Sequence, residues 1–201
     1  MRVNAKVLAT FVIIGALQAG AACAQSSHER SLASCKGDDI DGKMRGCTAL
    51  INSTGETPET LAIAYFNRGN ALEENGQFDI AIQDYDNAIK LDPKNAKAFA
   101  NRGFAYSSKK DFKSAIDDFT EAIKLDPNDA RTYRLRASAY RETAKYDLAI
   151  QDCDQAIKLD PNDAALAYYV RGLSKQKSGD KSGAKADIAK AKQLDPAVDQ
   201  H

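Results

Sequence analysis

A stretch beginning at Asn67, NRGNALEENGQFDIAIQDYDNAIKLDP, is restated from Asn101 as NRGFAYSSKKDFKSAIDDFTEAIKLDP. Prolines in KLDP contexts fall at 93, 127 and 161, spaced by 34, and a QLDP proline follows at 196. Such a period constrains the chain more than composition does. Each copy must be one supersecondary unit that hides its apolar face against its neighbours. Counting back from the prolines gives units 62–95, 96–129, 130–163 and 165–196, within a repeat region of 58–196. The last interval is one residue longer, which a slip in NDAALAYY accommodates.

Within a unit, apolar residues spaced three and four apart, as in FDIAIQDYDNAIKL, mark amphipathic helices. The LDP at the end of each unit stops a helix, because proline disfavours helical geometry in the residue before it. The mid-unit breaks differ: NGQ offers a glycine for a helix C-terminus, whereas KKD and AKY offer none. Each unit therefore reads as helix A, a short turn and helix B. One such pair cannot bury both faces, but four stacked pairs can.

The copies agree position by position. The fourth residue is aromatic (Tyr65, Phe99, Tyr133, Tyr168) and the eighth is small (Gly69, Gly103, Ala137, Gly172). The twentieth is Ala81, Ala115, Ala149 or Ala184, and the twenty-seventh is always alanine. The twenty-fourth is Tyr85, Phe119, Cys153 or Ile188, which makes Cys153 a small buried hydrophobe. This pattern resembles the tetratricopeptide repeat over Ala62–Pro196, with Tyr or Phe in place of the family's first tryptophan. The resemblance implies an all-α, right-handed solenoid of four antiparallel helix pairs. Eight charges also recur, Arg68, Arg102, Arg136 and Arg171 at position 7 and Asp84, Asp118, Asp152 and Asp187 at position 23. They read as scaffold ion pairs between helices A and B.

The resemblance further implies a concave groove lined by helix A, and carries particular residues onto it. Unit one offers Phe66, Asn67 and Asn70. Unit two offers Lys97, Asn101 and Phe104, and unit three Arg131, Arg134, Leu135 and Arg141. Unit four offers Tyr169 and Leu173. Phe66, Phe104, Leu135, Tyr169 and Leu173 are expected to be exposed apolar groups, and Arg131 and Arg134 to be exposed cations. Asparagines suit the backbone of an extended peptide, and the cations suit a carboxylate. Asn70, Asn101 and Arg131 match part of the carboxylate clamp of chaperone-adaptor members. Phe66 and Leu135 depart from it, so heat-shock chaperones are not the expected partner.

The ends carry other signals. Residues 1–24 read as an export signal: Arg2 and Lys6, an acid-free apolar stretch, then ACA at Ala22–Ala24. GAAC before Cys23 faintly resembles a lipoprotein box, but Gly20 stands where leucine is usual, so a lipid anchor is disfavoured. Periplasmic or secreted localisation follows, without a later membrane span. In that oxidising setting Cys35 and Cys47 are the natural disulfide pair, lacking the CxxC spacing of metal or redox sites. The segment 25–57 should hold a capping helix with Ile40, Met44, Cys47, Leu50 and Ile51 on one side. The last helix, KSGAKADIAKAKQLD, is lysine-rich and should cap itself, leaving 197–201 as a tail.

Basic and acidic residues balance at 28 each and no strongly basic stripe stands out, which argues against nucleic acid as the main partner. The two histidines, His28 and His201, fall in ends expected to be disordered. DDIDG at Asp38–Gly42 lacks the rest of a calcium loop and reads as an acidic helix start. Catalysis, a cofactor and a bound metal are therefore not expected. The function read from the sequence is a scaffold binding a protein or peptide segment in its groove. The alternative is an assembly protein that self-associates through its outer faces or ends.

Overall fold

The computed structural model describes residues 27–200; the expected export signal and Cys23 lie outside these. Helix α1 (27–35) leads into α2 (Ile40–Ile51). Four helix pairs follow: α3 (Pro58–Glu74) with α4 (Phe78–Leu91), and α5 (Ala96–Ser108) with α6 (Phe112–Leu125). The other two are α7 (Ala130–Glu142) with α8 (Tyr146–Leu159), and α9 (Ala165–Ser178) with α10 (Lys181–Leu194). A short 3-10 turn, Val198–Gln200, is the last described element. Each helix packs on the next in order, and α3, α5, α7 and α9 also touch in succession, which makes a solenoid of two helical layers.

Local chemistry sets the boundaries. Thr57, Asn95, Asp111, Asp129 and Asp180 accept backbone N–H groups at helix starts, and Pro58 opens α3. At the turn inside every pair one residue adopts positive φ: Gly76, Lys110, Ala144 and Gly179. Glycine does so freely, whereas Lys110 and Ala144 carry a cost of about 1 kcal/mol each. The missing glycines of KKD and AKY thus did not change the turn; packing on either side imposes it.

Inside a pair, the small residue at position 8 receives the side chain at position 24. A β-carbon on Gly69 would meet Tyr85 at 2.7 Å, and one on Gly103 would meet Phe119 at 2.8 Å. In the third pair Ala137 replaces the glycine, and the opposing residue shrinks to Cys153 in the same buried cluster. The swap conserves volume across the crossing. Burial pushes the Cys153 thiol up to about 12, so it stays protonated.

Each position-7 arginine binds three groups. Arg102 Nε and Nη2 donate to both oxygens of Asp118 at 2.8 and 2.6 Å, and Nη1 donates to Asp86 of the preceding pair at 2.5 Å. Arg136 repeats this with Asp152 (2.7 and 2.8 Å) and Thr120 (3.1 Å). Arg171 does so with Asp187 (2.8 and 2.6 Å) and Asp154 (2.5 Å). Each guanidinium also lies 5.0–5.8 Å from the ring of its own position-4 aromatic. Every rung therefore locks A to B and one unit to the previous one.

Arg68 donates to Asp84 in the same manner at 2.7 and 2.8 Å, and its Nη1 reaches Thr48 on α2 at 3.2 Å. Thr48 thus takes the place held by Asp86, Thr120 and Asp154, and α2 is helix B of an incomplete unit. Cys47, adjacent to Thr48, then falls where Tyr85 and Phe119 stand, and is bonded to Cys35 of α1. Gly46 lets the two backbones meet: a β-carbon there would be 2.6 Å from Cys35 N and Ser31 O. Asp39 caps α2 by accepting from Gly42 N at 2.6 Å, the acidic helix start read from DDIDG.

Three expectations about the ends are corrected. His28 is not in a disordered end: it lies on α1, with Nδ1 3.0 Å from Glu56 Oε1. The last helix is only in part its own cap, because Val198 is fully buried against α9 and α10 while the lysine-rimmed face stays open. The described part of the tail, residues 197–200, is accordingly held at Val198 and not free.

Candidate functional site

Three successive A helices place one residue each around a common pocket. Asn70 on α3 accepts from Tyr85 Oη and from Asn101 Nδ2 on α5, both at 2.9 Å. Arg131 on α7 extends Nη1 to 3.4 Å from Asn101 Oδ1. Phe66, Lys97 and Ala100 complete the floor and wall of a cavity of about 530 Å³. The Tyr85 hydroxyl also donates to Glu73 at 3.0 Å. Burial raises the Glu73 carboxyl, only partly offset by that hydrogen bond, and burial together with Glu73 pushes the Tyr85 phenol up.

Asp126 and Asp129 line the same cavity; neither stands out in the sequence, since LDPND reads only as a helix stop and the start of the next helix. Both are engaged locally. Asp129 accepts from Arg131 N at 3.1 Å and from the Thr132 hydroxyl, and Asp126 accepts from Asn128 N at 3.1 Å. Lys97 and Arg131 are both exposed and form no ion pair among the described residues, although the Arg131 charge reaches Glu73. The pocket thus offers two cations, two amides and an aromatic ring, beside two carboxylates already engaged by backbone N–H groups.

One unit further along, the equivalent pocket is lined by Arg131, Arg134, Asp160 and Asp163 and holds only about 180 Å³. Arg134 stands where the first pocket has Ala100, so its side chain occupies the space. It is half-buried, not exposed as expected, and burial followed by the Arg131 charge lowers its guanidinium. A third cavity of about 280 Å³ gathers Arg141, Glu142, Tyr146 and Leu173. Arg141 there donates to Glu142 at 2.5 Å.

Several predicted groove residues are engaged within the fold. Asn67 donates to Cys35 O at 3.2 Å and is therefore held by the N-terminal cap. Phe104 and Leu135 are half-buried against the Ala115–Phe119–Ala139 cluster, and Phe66 packs toward Tyr85 at 6.1 Å between ring centres. Tyr169 is half-buried on α9, within electrostatic reach of Lys192. None of the five groups expected to be exposed apolars is fully exposed. Among the described residues no cluster of three or more His, Cys, Asp and Glu could hold a metal, and no helix is long and apolar enough to cross a membrane.

Stacked helix pairs with a polar pocket shared between successive A helices define a helical-repeat scaffold, a typically non-catalytic class that binds proteins. Tetratricopeptide-repeat profiles match residues 62–95, 96–129, 130–163 and 165–198, so the chain belongs to the tetratricopeptide-repeat family. MamA from Desulfovibrio magneticus RS-1 superposes with a TM-score of 0.74 at 21% identity, covering 87% of this chain and 96% of that one. Another MamA crystal structure gives 0.70 at 23% identity, covering 81% and 92%. The tetratricopeptide-repeat domain of Arabidopsis OM64 gives 0.58 at 27% identity, covering 60% and 98%. These likenesses establish the fold. No curated protein is significantly similar in sequence.

Proposed function

We propose that the chain is a non-catalytic scaffold of the bacterial cell envelope that holds a protein or peptide segment in its concave groove. The seat of recognition is the pocket of Asn70, Asn101, Lys97 and Arg131, and the segment presents an acidic side chain or a free C-terminal carboxylate. The observation that carries this reading is the pair of exposed cations, in no ion pair among the described residues, beside two mutually hydrogen-bonded asparagines. Charge-assisted hydrogen bonds to a carboxylate would satisfy both cations. The half-buried edge of Phe66 offers the ligand's apolar flank a contact. Export is supported by the basic–apolar leader and by the Cys35–Cys47 disulfide, a bond typical of oxidising compartments.

The test is affinity capture from envelope extract, comparing the protein with its Lys97→Glu/Arg131→Glu variant and reading the difference by mass spectrometry. Both side chains are exposed, so circular dichroism should be unchanged. Capture of the partner should weaken at least about 10-fold, or 1.4 kcal/mol. Equal capture by both proteins would move the interface off the helix-A side.

A further inference from the structure

Every helix B before the last is covered by the next helix A: α5 lies on α4, α7 on α6 and α9 on α8. Among the described residues α10 touches only α9 and the tail turn, so the face that a fifth helix A would occupy is open. That face is a groove of about 510 Å³ with Ala184, Ile188 and Ala189 on its floor. Its rim is Lys181, Lys185 and Lys192. Small floor residues permit close approach of another helix, and apolar surface edged by like charge marks an interaction site.

We propose that this groove docks an amphipathic helix from a partner protein, with acidic residues flanking its apolar stripe. Charge selects the occupant. Lys181 and Lys185 form no ion pair among the described residues, whereas Lys192 already binds Asp199 at 2.6 Å. The tail is thus a small precedent: Val198 buries an apolar side chain at one end of this face while the next residue supplies an acid to its rim. The chain's own leader is mismatched, since residues 1–24 carry Arg2 and Lys6 and no acid.

A second copy of the chain is mismatched too. Stacking in repeat fashion requires an acceptor for the incoming position-7 arginine, as Thr48, Asp86, Thr120 and Asp154 provide. The equivalent residue of the last unit is Ala189. The first helix A, α3, is moreover already covered by α2. The site therefore accepts a helix, but not one of this chain's own arginine-bearing A helices.

Fluorescence anisotropy with a labelled amphipathic peptide of about four helical turns tests this. The probe carries a Leu/Ala stripe flanked by glutamates; a control replaces the glutamates with lysines. The intact protein should bind the acidic probe at least about 10-fold tighter than the control. Lys181→Glu/Lys185→Glu, and separately Ala189→Glu at an exposed floor position, should each weaken it by a similar factor. On a Lys97→Glu/Arg131→Glu background, which removes the acid-binding groove pocket, the acidic probe should still bind and still weaken with Lys181→Glu/Lys185→Glu, which separates the two sites. Equal binding of both probes, or binding that survives Lys181→Glu/Lys185→Glu, overturns the proposal. So does absence of peptide binding alongside lysine-dependent retention on phosphatidylglycerol vesicles, which would make the face a membrane contact.

Discussion

At the N-terminus, α1 and α2 form an incomplete unit whose crossing is held by a buried disulfide in place of an aromatic on glycine. It also supplies Thr48 to the first arginine and accepts Asn67 on the Cys35 carbonyl. At the C-terminus, α10 keeps the alanines of a packing helix, surrounds them with lysines and receives one turn of tail. In a nearly one-dimensional array, stability is the sum of units and their interfaces, so an end lacks half of what an interior unit has. One end recovers this loss covalently; the other leaves it open and remains dispersed by charge.

The interior sets the yardstick. Arg136→Ala would leave the buried Asp152 without its two charge-assisted bonds and Thr120 without its donor. The expected cost is about 3–5 kcal/mol, measured by denaturant unfolding. A smaller loss there than at either end would break the account of the ladder.

Next comes the covalent end. Cys35→Ser/Cys47→Ser removes a short-loop constraint of about 3 kcal/mol. Hydrogen exchange should accelerate first through α1, α2 and the start of α3 while α8–α10 keep their rates. Uniform acceleration would show that the array unfolds as one cooperative block.

Smallest is the open end. Val198→Ala trims a fully buried side chain and should cost about 1–2 kcal/mol, with faster exchange confined to α9 and α10. No change would mean the tail turn adds nothing to the array.

The contrast between the ends also shows how much the sequence disclosed. Period, small residues and recurring Arg and Asp determine the pairs, since each has a distinct spacing signature. The compensating exchange of Gly–Tyr for Ala–Cys in the third unit was visible as two oddities sixteen positions apart, Ala137 and Cys153, but only the crossing links them. Helix α1 was not legible: SHERSLASC has little apolar periodicity, and its helix is held by the disulfide and by the close approach at Gly46. Groove positions could be transferred by register, yet exposure could not. Phe104 and Leu135 lean back onto the core, Asn67 is held by the cap, and Arg134 fills a pocket that Ala100 leaves open.

The three-way arginine rung has a consequence for how such a chain can grow. A complete unit carries a donor that reaches backward and, two residues beyond its own aspartate, an acceptor that faces forward. Duplicating any of the first three modules in frame therefore preserves every bond of the ladder, whatever the copy number. Extension past α10 does not, because Ala189 offers the newcomer nothing to hold. A module added after α10 would keep its own internal pair but lack the backward bond that every earlier rung makes. Restoring a hydroxyl or carboxylate in place of Ala189 is the natural first step for anyone wishing to build a longer solenoid from this one.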